Sequence, residues 1–186
     1  GLIVLFSFTS YNGLVSKEEA VISQWAQVEN VYERKYKLIP NLVATVQEYT
    51  EYEGNILKEV TEARSNATKI KLTADDLTPE NMKKFQEAQT QLSGSLSRLL
   101  ATFERYPDLK ANTNYQELMK ELEGSENRIT VERRKYNNTV KEFNTSIRSF
   151  PTNIFNSFYG FERKELFEAS EEAVENDVSV KDLFDQ

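Results

Sequence analysis

The sequence predicts an all-α protein, an antiparallel up-and-down four-helix bundle with long helices. Three observations predict it. Six Gly and four Pro in 186 residues leave few places for the chain to turn. Apolar residues recur at steps of three and four over long spans, the spacing of one buried helix face. Prolines and capping residues divide those stripes into pieces of similar length. A chain of this size is long enough to bury a core as one domain.

The elements follow in order. Tyr11, Asn12 and Gly13 form a turn signal, and Ser16 with Glu19 fits a capping box. A first helix is expected over 17–38, with Leu14, Val21, Trp25, Val28 and Tyr32 on one face and Glu18 and Lys35 completing the rhythm. Pro40 suits the first position of a second helix over 40–71, whose stripe is Leu42, Val46, Tyr49, Ile56, Val60, Ala63, Ala67 and Ile70. The rhythm crosses Pro40 without a phase jump, so one long helix kinked there is the alternative. Four helices of similar length favour a reversal at Pro40. Residues 72–78 read as a polar linker. Thr78-Pro79-Glu80 starts a third helix over 79–106, with Phe85, Ala88, Leu92, Leu96, Leu99, Phe103 and Tyr106 inward. Gly94 within it suggests close approach by a neighbour. A second capping box at Thr113 opens the longest helix, 113–150, with Tyr115, Leu118, Leu122, Ile129, Tyr136, Val140, Phe143, Ile147 and Phe150 inward, Ser125 and Glu132 on the same seam, and Pro151 as the stop. An aromatic patch surrounds Gly160. A short helix and an extended end then lie on the bundle surface.

Composition removes whole classes of chemistry. There is no Cys and no His, hence no disulfide, no thiol nucleophile and no imidazole base or ligand. The net charge of −7 sits in the tail: residues 162–186 carry nine acids and three bases, and the rest is almost neutral. Without a basic footprint, nucleic acid is not an expected partner. The run from Leu2 to Phe8 is too short to span a membrane, which takes roughly 20 apolar residues. It reads either as the trimmed end of a transmembrane helix or as an apolar segment docked on the bundle.

Several pieces of the chain resemble the LemA family. They are Tyr11-Asn12 with Leu14-Val15, Trp25 to Glu29, Tyr32 with Arg34, and Leu38 to Val43. Further on come Tyr106 to Asn112, Glu126 to Ile129, Arg133-Arg134 with Tyr136-Asn137, Asn144, and Phe150-Pro151. They keep family-like order and spacing over 11–161. Tyr32-Glu33-Arg34-Lys35 stands where the family often has Gln and a second Arg, and Phe143 where Tyr is usual. The resemblance implies a bacterial all-α bundle anchored by one N-terminal transmembrane helix. The cell membrane is then its address, with the bundle on the cytoplasmic side. The family has no established molecular function. On this reading residues 1–10 end a transmembrane helix, 11–161 form the bundle, and 162–186 are an acidic extension packed on it.

No residues are expected to act as catalytic, cofactor-binding or metal sites. A bundle metal site of the Glu and Glu-x-x-His kind has no His to use; Glu171 and Glu172 read as a solvated acidic face. Glu29, Arg34, Glu126 and Arg133 flank the seams and are expected to form a polar network that fixes helix register or meets a partner. Arg134, Lys141 and Arg148 repeat every seven residues as a basic face, against which 162–186 is expected to fold; anionic lipid or an acidic partner is the alternative. The expected function is that of a membrane-anchored scaffold or adaptor for an unidentified protein partner. A sensor-like module holding a small ligand or lipid between its helices is the alternative, and an enzyme is not expected.

Overall fold

The structure, a computed structural model, describes residues 2–49 and 53–168. Among these residues it has six α-helices, one 3-10 turn at Ala74–Asp76, and no strand. They are α1 Leu2–Gln47, α2 Gly54–Lys69, α3 Pro79–Phe103, α4 Pro107–Ala111, α5 Thr113–Arg148 and α6 Thr152–Tyr159.

The largest departure from expectation is α1, one helix of 46 residues that runs through both Tyr11–Gly13 and Pro40. There is no capped start at Ser16 and no reversal at Pro40. A proline in a helix interior removes one N–H and orphans the carbonyl four residues earlier. Here that carbonyl belongs to Tyr36, and Arg64 of α2 donates its Nε–H to it at 2.7 Å. A side chain from the neighbouring helix supplies the bond that proline cannot, and the helix continues. The reversal comes after Gln47, and α2 begins at Gly54 behind Glu53.

Pairings along the chain set helix directions. Ser10 meets Thr152, Gln24 meets Glu132, Lys35 meets Glu126, and Tyr49 meets Asn112, so α5 descends as α1 rises. Tyr32 packs on Phe85 and Tyr36 meets Gln89, so α3 rises with α1. Capping signals act where short-range chemistry suffices. Thr78 accepts from Asn81 N at 3.4 Å with Pro79 in the first turn of α3. The cap of α5 is Asn112, which accepts from Tyr115 N at 3.0 Å and donates to Tyr49 Oη at 2.7 Å; Thr113 itself is already helical. The linker after α2 is less polar in its role than in its composition: Leu72 and Leu77 are buried, and Trp25 Nε1 donates to Leu72 O at 2.8 Å. A Cβ added at Gly94 would meet nothing within 4 Å, so this glycine marks no close helix approach.

The buried apolar residues form two clusters. One gathers Trp25, Tyr32, Phe85, Tyr136, Phe143 and Phe167; the other gathers Ile39, Leu42, Val60, Leu92, Leu99 and Phe103. Among the described residues no helix is long and apolar enough to cross a membrane; residues 2–10 form the opening turns of α1.

Candidate functional site

Between the two clusters the stripes of α1, α3 and α5 each carry one polar residue. Lys35 stands between Tyr32 and Ile39, Gln89 between Phe85 and Leu92, and Ser125 between Leu122 and Ile129, and all three are buried. The Lys35 ammonium, 1% exposed, lies 2.5 Å from Glu126 Oε1 and donates to Ser93 Oγ at 3.1 Å. Burying an ammonium costs several kcal/mol unless it is paired, and Glu126 supplies the pairing from a half-exposed position. Gln89 donates to the Tyr36 hydroxyl, and burial pushes that phenol up to about 12. Gln89 Oε1 and Ser125 Oγ are buried without a hydrogen-bond partner among the described residues.

This polar layer opens to one side. The backbones of α3 and α5 do not approach closely, and a groove of about 870 Å³ lies between them. Leu96, Leu100, Met119 and Leu122 give it apolar walls; Ser93 and Glu126 bring the polar layer to its surface.

Further along the same wedge the space is filled. After α6 the chain turns at Gly160 (φ 76°) and continues without regular structure through Glu168. Asn144 donates to Lys164 O at 2.8 Å and accepts from Lys164 N at 3.0 Å. Asn137 grips Phe167 the same way, at 3.0 and 2.8 Å. Seven helical residues rise roughly 10.5 Å, and three extended residues cover roughly 10 Å, so an Asn on every second helical turn keeps step with every third strap residue. Tyr136 Oη donates to Glu165 O at 3.0 Å, Arg133 Nη2 to Glu168 O at 3.1 Å, and Glu168 N to Gln86 Oε1 at 3.0 Å. These contacts read main chain. Side-chain recognition falls on Phe167, buried among Trp25, Phe85 and Tyr136 with the Arg133 guanidinium 4.5 Å from its ring centre.

The residues expected to form one polar network are therefore divided. Glu126 pairs with Lys35, which the sequence had placed on the seam but outside that network. Arg133 serves the strap; its charge would lower the neighbouring Tyr32 phenol, but burial dominates and raises it. Arg34 is exposed. Glu29 is exposed by area, yet enough protein surrounds its carboxyl to push it above the ordinary carboxylate range. Arg134, Lys141 and Arg148 are exposed along α5. The strap runs beside them on the Asn137–Asn144 flank; residues 169–186, including Glu171 and Glu172, lie outside the described residues. The two clamping asparagines enter the sequence reading only as part of the family resemblance, without a clamping role, although their seven-residue spacing is visible there.

Comparison with known proteins gives consistent relatives. Protein LemA of Metamycoplasma hominis is 26% identical over 169 residues, covering 90% of this chain and 74% of that protein. Magnetosome protein MamQ of Magnetospirillum gryphiswaldense is 23% identical over 174 residues; the match covers 84% of this chain but only 64%, less than two thirds, of the relative. The model of the LemA family matches residues 24–181, from the buried Trp25 through the strap. The chain belongs to the LemA family.

Proposed function

We propose that this protein is a membrane-associated helical scaffold that seats an extended segment of a partner protein in the groove between α3 and α5. In this reading α1, α2, α3 and α5 act as an up-and-down antiparallel bundle, held at the cell membrane by a single N-terminal pass with the bundle on the cytoplasmic side. The scaffold takes no catalytic step. The observation that carries the reading is the strap: residues 161–168 already lie extended in one half of the wedge, gripped through their main chain by Asn137 and Asn144. The open half continues the same track along Ser93–Leu100 and Tyr115–Thr130. Helical surfaces commonly take partner segments through apolar grooves with a few fixed polar groups.

A second reading has its own observation. Ser93 and Glu126 expose one edge of the buried polar layer to the groove, an arrangement that also suits a small amphipathic ligand. A photo-reactive side chain at Ser97, inside the groove, and a control at Asn138, outside it, separate the two in native membranes. The scaffold reading expects one polypeptide adduct from position 97 alone, abolished by Leu100→Glu. Equal adducts at both positions, or none at 97, refute it. A lipid-sized adduct from 97 with a matching rise in melting temperature favours the ligand.

A further inference from the structure

Among the described residues, the end of the molecule where α1 begins and α6 lies carries no charge. Residues 1–16 and 149–161 contain no Asp, Glu, Lys or Arg, and the fold brings the two stretches together. Ser7 Oγ lies 2.6 Å from Tyr159 Oη, and Ser10 Oγ donates to Thr152 Oγ1 at 3.3 Å. Tyr11 packs edge-on against Tyr159, 5.2 Å between centroids. Tyr159 therefore joins α6 to α1.

Residues on the other side of α6 are exposed among the described residues. Ile154 and Phe158, one helical turn apart, are 54% and 84% exposed, and Phe150 just before the helix is 81% exposed. Phe8 and Tyr11, in the opening turns of α1, are exposed as well. Large apolar side chains exposed elsewhere among the described residues are only Val131 and Leu166, so the exposure is concentrated at this end. Isolated apolar residues on a surface need no explanation, but several large ones exposed on one short helix and just before it mark an interaction face.

The surroundings identify the occupant. The first charged residues met on leaving the cap are Lys17, Glu18 and Glu19 on α1, Arg148 on α5, and Glu162, Arg163 and Lys164 on the strap, four bases to three acids. Lys164 and Glu18 pair at 3.1 Å, which leaves Lys17, Arg148 and Arg163 against Glu19 and Glu162, an excess of one base. An uncharged apolar cap followed by a charged rim that includes Lys17, Arg148 and Arg163 matches the layering of a bilayer interface: apolar and aromatic groups at the acyl boundary, cations at anionic headgroups. A protein partner of ordinary polarity would leave this cap without polar complements.

We infer that the outer face of α6, with Phe150, Ile154 and Phe158, together with Phe8 of α1, inserts into the membrane interface and seats the base of the bundle on the lipid surface. The inference rests on the membrane-associated reading and adds a second contact to it, made mainly by residues 150–158, far along the chain from the start of α1.

The test uses the full chain with vesicles of phosphatidylcholine and phosphatidylglycerol. Phe158→Trp places an indole on the proposed contact; the native Trp25 is buried and serves as the background. The expected result is a blue shift and strong quenching of the new indole by lipids brominated near the headgroup. Replacing Phe150, Ile154 and Phe158 together by Ser, all exposed and so not needed for folding, is expected to weaken vesicle binding at least tenfold. Failure of either result overturns the inference. If the parent chain floats with vesicles while the indole stays unquenched, the membrane reading survives and the α6 contact does not; if the parent does not float, both fall. A vesicle-free dimer that shields the indole also overturns the inference, in favour of a second copy on this face.

Discussion

The bond between Arg64 and Tyr36 O makes a quantitative prediction about Pro40. In the parent protein, Arg64→Ala removes the donor at 2.7 Å and leaves a part-buried carbonyl that no helical N–H can reach. A hydrogen bond from a charged donor contributes about 1.5–3 kcal/mol, and an unsatisfied buried acceptor costs about 1–3 kcal/mol; a loss of about 2 kcal/mol is expected. In a Pro40→Ala background the new N–H reaches Tyr36 O within the helix. Arg64→Ala should then cost no more than its lost packing, about 0.5 kcal/mol. The coupling between the two sites is therefore about 1.5 kcal/mol. Pro40→Ala alone should stabilise, by less than the roughly 3 kcal/mol that separates Pro from Ala in a helix interior, because Arg64 already offsets part of the penalty. The assay is urea unfolding of the four proteins, followed by helical circular dichroism and by Trp25 emission. Additive effects, with coupling below about 0.5 kcal/mol, would refute the claim that Arg64 stands in for the missing N–H.

Other predictions follow from the site. Glu126→Ala should cost about 3–5 kcal/mol by stranding the buried Lys35 ammonium, whereas Lys35→Met should lie within about 1 kcal/mol of the parent, since the half-exposed Glu126 can rehydrate; urea midpoints check the order, and the reasoning fails if Lys35→Met is the more damaging. Phe167→Ala should release the strap, cost about 3 kcal/mol, and shift Trp25 emission to the red; an unchanged emission spectrum would show that the strap stays docked without its aromatic anchor. Burial raises the phenols of Tyr32, Tyr36 and Tyr136 above their ordinary range, Tyr36 to about 12. The folded state thus keeps protons that the unfolded chain releases. Stability should be full below about pH 10 and fall as the pH climbs towards about 12. Ionisation of Tyr32, Tyr36 or Tyr136, followed residue by residue through their ring NMR signals, before circular dichroism is lost would contradict this.

Much of the core was legible because burial follows a local period. Trp25, Val28, Tyr32, Phe85, Leu92, Leu99, Tyr136, Val140 and Phe143 sit where the three-and-four rhythm places them. The same rhythm put Lys35 and Ser125 on the seams, and both are buried. What the rhythm cannot supply is the partner. Lys35 could have been neutralised by any nearby acid; that Glu126 does so depends on the register of α1 against α5, which neither helix specifies alone. Phe150 shows the opposite failure. It continues the stripe of α5, but Ser149 ends that helix, and the ring is left facing solvent.

The turns were misplaced for a related reason. Pro40 is the strongest local break in the first fifty residues, and it does not break the helix. The actual start of α2 is Gly54, behind Glu53, inside the span expected as one continuous helix over 40–71. A proline's cost is local, but its relief here comes from Arg64 after the chain has reversed and returned. A rule confined to neighbouring residues must therefore count the penalty and miss the compensation. The strap makes the same point in its favourable form: Asn137 and Asn144 are unremarkable polar residues on a helix until an extended segment lies beside them, and then their spacing matches its main chain. In both places a local sequence feature acquires its meaning from a distant segment, and both distant segments bear on the wedge or the helix that shapes it. That is the physical ground for looking for this protein's partner in the open part of the α3–α5 groove, where Leu100 and Met119 remain part-exposed on its walls.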